Sequence, residues 1–158
     1  MAGMRFTFTI EGETQVDRTL ARFAENVGDA SQLWDSLADR FAQVEARQFA
    51  TEGAYGSGGW PALSPKYAAW KERHYPDKPI LERTGALKAS LTSRPFGIEA
   101  ITPKSMTLGS GISYGAYHQS GGGRLPQRRP VDLPESERRT WVRLIQRFIV
   151  TGTAADRL

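Results

Sequence analysis

The sequence predicts an α+β domain: a small antiparallel sheet packed by amphipathic helices, with long helices on the N-terminal side and one helix at the C-terminal end. Three observations carry this. Apolar residues recur at helical spacing in two N-terminal stretches and again near the C-terminus, they alternate with period two at the start of the chain and around residue 100, and glycine or proline separates these segments.

In chain order, Phe6, Phe8 and Ile10 alternate with Arg5, Thr7 and Thr9, the pattern of a half-buried strand ended by Glu11-Gly12. The period then changes. Val16, Leu20, Phe23, Ala24 and Val27 fall on one helical face, with Gly28 as a stop. Leu33, Leu37, Phe41, Val44 and Phe49 define a second helix, with Asp29 or Ser31 available as N-cap and Gly53 at its end. Both faces need a sheet or a neighbour to cover them.

Residues 53–59 hold four glycines in seven positions and predict a mobile loop. Trp60-Pro61 follows where a phosphate-binding loop needs Gly-Lys-Ser/Thr, so nucleotide binding is not expected. Ser64-Pro65 opens a short helix with Pro at its first position, its basic residues Lys66, Lys71 and Arg73 mostly outside. Two prolines in 74–79 break it. Thr84 is placed to cap a helix that buries Leu87 and Leu91 and closes at Arg94-Pro95. Ile98 and Ala100, then Met106 and Leu108, flank Thr102–Ser105 as the two strands of a hairpin. Tyr114, Tyr117 and His118 form a short element before a second mobile loop, near residues 119–125. Asp132 or Ser136 can cap a last helix with Trp141, Leu144, Ile145, Phe148 and Ile149 as its apolar stripe, stopped by Gly152. The tail, 153–158, is polar enough to fray.

At 158 residues the chain fits a single domain, 1–158, with no internal repeat. No apolar run reaches the roughly 20 residues of a membrane span, and the N-terminus shows no secretory leader. A chain made in a cytoplasm, with no membrane partner, is expected. Without cysteine, and with two histidines, neither a metal site nor any other cofactor is expected.

Charge is unevenly divided. Residues 1–52 carry 5 basic and 9 acidic groups, residues 53–123 carry 8 and 4, and residues 124–158 carry 8 and 4. One end is acidic and the rest basic, which suits solvated helix faces or electrostatic complementarity between neighbouring subunits.

Four ordered patterns occur after residue 60: Trp60-Pro-x-Leu63-Ser64; Ile80-Leu81-x-x-Thr84-Gly85-x-Leu87-x-x-Ser90-Leu91; Tyr114-Gly-x-Tyr117-His118-Gln119-x-Gly121; and Pro126-x-Arg128-Arg129-Pro130 before the last helix. Spanning about residues 60–150, they resemble the phage virion-morphogenesis, or tail-completion, family. The N-terminal helices match only in type, and the family's proline-x-arginine-proline step carries an extra arginine here. The resemblance implies a structural protein of a tailed phage, sited in the virion at the neck or head-proximal tail and in the host cytoplasm during assembly. It implies no catalysis. It also implies a homo-oligomeric ring, sixfold as tail rings generally are, with tail-tube or tail-terminator and head-connector proteins as partners. Genomic DNA in the lumen is a further, non-specific contact.

The interface candidates are Trp60, Tyr114, Tyr117, His118, Arg128, Arg129, Arg139, Arg143 and Arg147. Aromatic groups with a polar tip anchor interfaces, although Tyr114, Tyr117 and His118 fit half-buried sheet residues equally well. Arg128 and Arg129, between Pro126 and Pro130, are expected extended and exposed, for carboxylates, DNA phosphates or water. In the motif around residue 84, Gly85 is expected to let the backbone approach a neighbour. Arg139, Arg143 and Arg147 form one stripe at i, i+4, i+8. With a sequence pI near 9.6, that stripe supports an alternative, a basic DNA-binding assembly or regulatory protein. A catalytic role would rest on His118 beside Ser113 or Ser120, with no nucleophile elbow or paired carboxylates, so no catalytic residue is expected.

Overall fold

The computed structural model describes residues 13–56 and 58–154. The expected first strand, Arg5–Ile10, and the end of the tail lie outside them. Among the described residues are six helices and one two-stranded antiparallel sheet, the expected α+β class: α1 Glu13–Gly28, α2 Ser31–Ala50, α3 Pro65–His74, α4 Ala86–Thr92, β1 Ile98–Thr102, β2 Ser105–Gly109, α5 Ser113–Ser120 and α6 Glu135–Thr151. No described helix is long and apolar enough to cross a membrane.

Helix α2 is the spine. Leu33, Leu37, Ala38, Phe41, Val44 and Phe49 are buried along it, and α4, α6 and both strands pack on it. Its C-terminal half joins Leu87 and Leu91 of α4 and Phe96 in one cluster, with Phe41 edge-on to Phe96 at 5.3 Å. Its N-terminal half joins Leu144 and Phe148 of α6 in a second. Met106 and Trp141 touch both clusters and make them continuous.

In the hairpin Ile98 pairs with Gly109 and Thr102 with Ser105, and the Thr102 hydroxyl accepts the amide of Ser105 at 3.0 Å to hold the turn. The carbonyl of Pro103 in that turn accepts the amide of Ala30, pinning the start of α2. On β2, Met106 and Leu108 face inward. On β1 the inward residues are Glu99 and Ile101, whereas Ile98 and Ala100 are exposed. The reason is polar: Glu99 accepts the amide of Phe96 and the guanidinium of Arg94, which also reaches Asp35 and Asp39 of α2.

Several helix ends differ from expectation. Ala30 is the N-cap residue of α2, although Asp29 accepts the amide of Ser31 at 3.0 Å. Gly85, not Thr84, holds the N-cap position of α4, and Thr84 accepts the Ala86 amide at a long 3.4 Å. Gly85 is there for its backbone, at φ +77°, since a Cβ would meet nothing within 4 Å. Pro134 precedes α6 with no side-chain cap, so neither Asp132 nor Ser136 fills that role. The expected stop at Gly152 is in place, in the left-handed conformation.

Among the described residues, helix α1 is held on one side. It packs on α6, where the amide group of Asn26 donates to the carbonyl of Ile149 at 2.9 Å. Val16, Leu20 and Val27, expected to need a cover, remain more than half exposed.

One buried acid stands out. Glu45 is fully buried on α2, close to the backbone and the carboxylate of Asp132. Burial pushes its pKa up to about 8, against the ordinary 4.5; the backbone of Asp132 pulls it part of the way back and the Asp132 carboxylate raises it again. A group whose folded value is raised is most stabilising when protonated in both states, below pH 4.5. Its contribution is lost as pH climbs through the window from 4.5 to about 8.

Two stability measurements follow. Leu91→Ala is expected to lower the unfolding free energy by about 2 to 5 kcal/mol, and Leu20→Ala by less than about 0.5 kcal/mol, in urea titrations. Equal losses would contradict the burial pattern. Glu45→Gln is expected to flatten the fall in stability between about pH 4.5 and 8 and to gain roughly 3 kcal/mol at pH 7. An unchanged pH slope in the variant would contradict the assignment.

Candidate interface site

Between α3, α5 and the segment 124–128 lies a cleft of about 620 Å³. Its walls come from Ala62, Leu63 and Ser64, Tyr67 and Lys71 of α3, Leu81 and Arg83, Tyr114 and His118 of α5, and Arg124, Leu125, Pro126 and Arg128. Apolar groups line much of it, every charged group is basic, and no carboxylate is among them.

Arg128 holds the walls together. It is expected to be exposed from its sequence context, but only 4% of its surface is accessible. Its Nε donates to the carbonyl of Pro61 at 2.7 Å and its Nη2 to that of Ala62 at 2.8 Å, while its amide donates to the carbonyl of His118. A planar fork reaching two successive carbonyls is what arginine offers and lysine does not. The side chain turns inward because two carbonyls without helix or sheet partners need donors.

Beside it the backbone is fixed by α2 and α5. The carbonyl of Arg129 accepts Nε2 of Gln48 and Nε1 of Trp60, and Gln119 bonds both the amide and the carbonyl of Val131. Trp60 is thus half-buried, edge-on to Phe49 at 5.4 Å, and Gly53 before it has φ +86° and no room for a Cβ against the indole. The loop at 53–59 is tethered at Tyr55, whose hydroxyl donates to Glu137 at 2.8 Å, and at Gly56, whose amide donates to Gln48. Burial raises the Glu137 pKa, but bonds from Arg40 and Tyr55 outweigh that and leave it below the ordinary value.

The cleft is electropositive and partly desolvated. Lys71, also expected outside, is 5% exposed and donates to the carbonyl of Pro79. Burial lowers its pKa, which Glu52, Glu82 and Glu72 partly offset from a distance. Burial also lowers the pKa of Arg128, and burial together with the Arg128 charge lowers that of His118, keeping its imidazole neutral at pH 7. Neither Lys71 nor Arg128 forms an ion pair among the described residues.

Of the nine candidate residues, Tyr114, His118 and Arg128 meet in this cleft. Tyr114 and His118 stand edge to face at 6.4 Å on a helix, so the sheet alternative for these aromatics is excluded. Tyr117 is on the same helix, 68% exposed, but does not line the cleft. Arg129 is exposed beside it. The α6 arginines lie elsewhere and differ among themselves: Arg139 pairs with Glu135 at 3.1 Å, Arg143 donates to Thr140, and Arg147 is half-buried. Sequence reasoning missed Tyr67, Lys71, Leu81 and Arg83. Tyr67 and Lys71 were discoverable, being four residues apart on one helical face, and Tyr67 begins a ring stack through Trp70 to His74. Leu81 gave no signal: it faces the cleft from a left-handed backbone, φ +64°, that leucine rarely adopts.

Residues 12–144 match the phage virion morphogenesis family, a span that begins well before the motifs after residue 60 and takes in the N-terminal helices. Comparison with curated proteins and with solved structures gives no match.

Replacing Arg128 tests whether the fork holds the cleft. Arg128→Ala is expected to cost about 3 kcal/mol in urea unfolding, and Arg128→Lys to recover less than half of it, because one ammonium cannot bridge both carbonyls at fork geometry. Full rescue by lysine would show that charge alone matters there.

Proposed function

Since the chain belongs to the phage virion morphogenesis family and has a structural or assembly role in the virion, we propose that it forms a ring at the neck or head-proximal end of the tail, completing the tail and joining it to the head. The family match over residues 12–144 carries this reading. Two unlike surfaces support the ring. One is the apolar face of α1, in the acidic part of the chain; the other is the basic cleft. Identical subunits joined through two different patches close into rings or extend as filaments, whereas a two-fold dimer uses one patch twice.

In this reading the ring is sixfold, its partners are the tail tube or tail terminator and the head connector, and its work is positional and not catalytic. DNA binding is the second reading, and it draws on Arg139 and Arg143, both exposed on α6. A specific DNA-binding protein would hold short duplexes with a steep salt dependence, whereas contact incidental to a lumen is lost near physiological salt.

Deletion of the gene from its phage separates these outcomes. Full heads and tails that fail to join, or tails left unfinished, are expected by electron microscopy, with infectivity restored by the gene in trans. Normal infectious particles from the deletion would overturn the proposal.

A further inference from the structure

We propose that the exposed apolar face of α1 on one subunit docks into the basic cleft of the next, so that Val16 and Leu20 fill its apolar walls and Asp17, beside them on α1, faces its cations. This rests on the ring reading above and names the surfaces that make the ring.

The cleft supplies the first half of the argument. Arg128 and Lys71 are nearly fully buried cations whose hydrogen bonds go to neutral carbonyls, and Arg83 and Arg124 stand at the rim without an ion pair among the described residues. The buried charge of Arg128 has no carboxylate beside it in the cleft, which is costly, and a carboxylate brought to the rim relieves it. A volume of about 620 Å³ exceeds what one ion fills and suits a few apolar side chains.

Helix α1 supplies the second half. Val16, Leu20 and Val27 lie within about 40° of one another around the axis and are 57%, 58% and 52% exposed, among the most exposed large apolar groups of the chain. Asp17, one step round the helix from Val16, is exposed and in no ion pair among the described residues, whereas Glu25, Arg18 and Arg22 lie on the far side of the helix. Asp29 and the carbonyl end of the helix add negative charge at its C-terminus. Among the described residues α1 packs on α6, so its apolar face and the cleft are separate patches, as a head-to-tail contact requires.

The absence of cysteine in the chain permits a clean test. Full-length Leu20→Cys and Leu125→Cys proteins, differing in tag mass, are mixed and oxidised. Disulfide-linked heterodimers are expected from the mixture and not from either variant alone. Arg124→Glu in the cleft partner is expected to cut the cross-linked fraction about tenfold, the factor matching about 1.4 kcal/mol of lost complementarity, and added Asp17→Arg on α1 to recover part of it. Unchanged melting of each variant shows that the subunit still folds.

Three results would overturn the docking. Leu20→Cys linking to itself would mean a two-fold contact. An intrachain bond in Leu20→Cys/Phe8→Cys would mean that the first residues of the same chain cover α1. No cross-link in the mixture, or in rings recovered from particles, would mean that the two patches do not meet. Since the deletion phenotype tests the virion role independently, any of these leaves that role standing.

Discussion

Everything in this fold depends on covering one helix. Helix α2 buries eight of its twenty residues, so it must be packed from several sides, and the short elements after it are arranged to do so. None of them could bury its own apolar face alone. A two-stranded hairpin is marginal in water by itself, and α4 has seven residues, too few for a stable isolated helix. Their order comes from the core they share with α2, and α6 is drawn in through Leu144 and Phe148. The helix also carries buried polar groups, Gln48 and Glu45, which a purely hydrophobic spine would not need. Gln48 uses its amide to fix the carbonyl of Arg129 and the amide of Gly56, so the spine sets the positions of two glycine-flanked segments as well as of the core.

From that anchoring the cleft follows. The segment from Gly121 to Val131 has little regular structure, yet its backbone is bonded to α5 through His118 and Gln119, to α2 through Gln48, and to Trp60. Arg128 then reaches across to the 61–62 carbonyls and closes the far wall. A loop fixed in this way offers side chains at set positions without the cost of ordering them on contact, which favours affinity. The same bonds leave Arg124, Leu125 and Pro126 at the tip free to face a partner.

The sequence made the skeleton legible and left the polar wiring hidden. Periodicity identifies α2, α4, α6 and the hairpin because apolar burial repeats with the geometry of the backbone. Motif order led to the family, and the family match extends it back to residue 12. What periodicity cannot reveal is where a long cationic side chain goes. Lys71 and Arg128 look like surface residues by type, and both are buried because unpaired carbonyls, at Pro79 and at Pro61 and Ala62, lie within reach. Those carbonyls belong to proline-rich turns and have no sequence signature as acceptors. Glu99 was hidden in the same way: an acid on the inward face of β1 is intelligible only once Arg94 and the Phe96 amide are seen beside it.

The contrast between α1 and the rest bears on how such a subunit assembles. Its apolar residues are spread over more of its surface than α6, its partner among the described residues, covers. Interaction among few buried groups means low local stability, so α1 can adjust or open at less cost than α2 or α4. For an assembly protein that imbalance has a use. A surface that was fully satisfied in the free subunit would gain little from a neighbour, whereas a half-covered amphipathic helix has burial still to gain, which is what the proposed docking uses. The basic cleft is incomplete in a complementary sense, since Arg128 is buried in it with no carboxylate among the lining residues. In the proposed contact apolar burial supplies the attraction, and charge fixes which patch meets which.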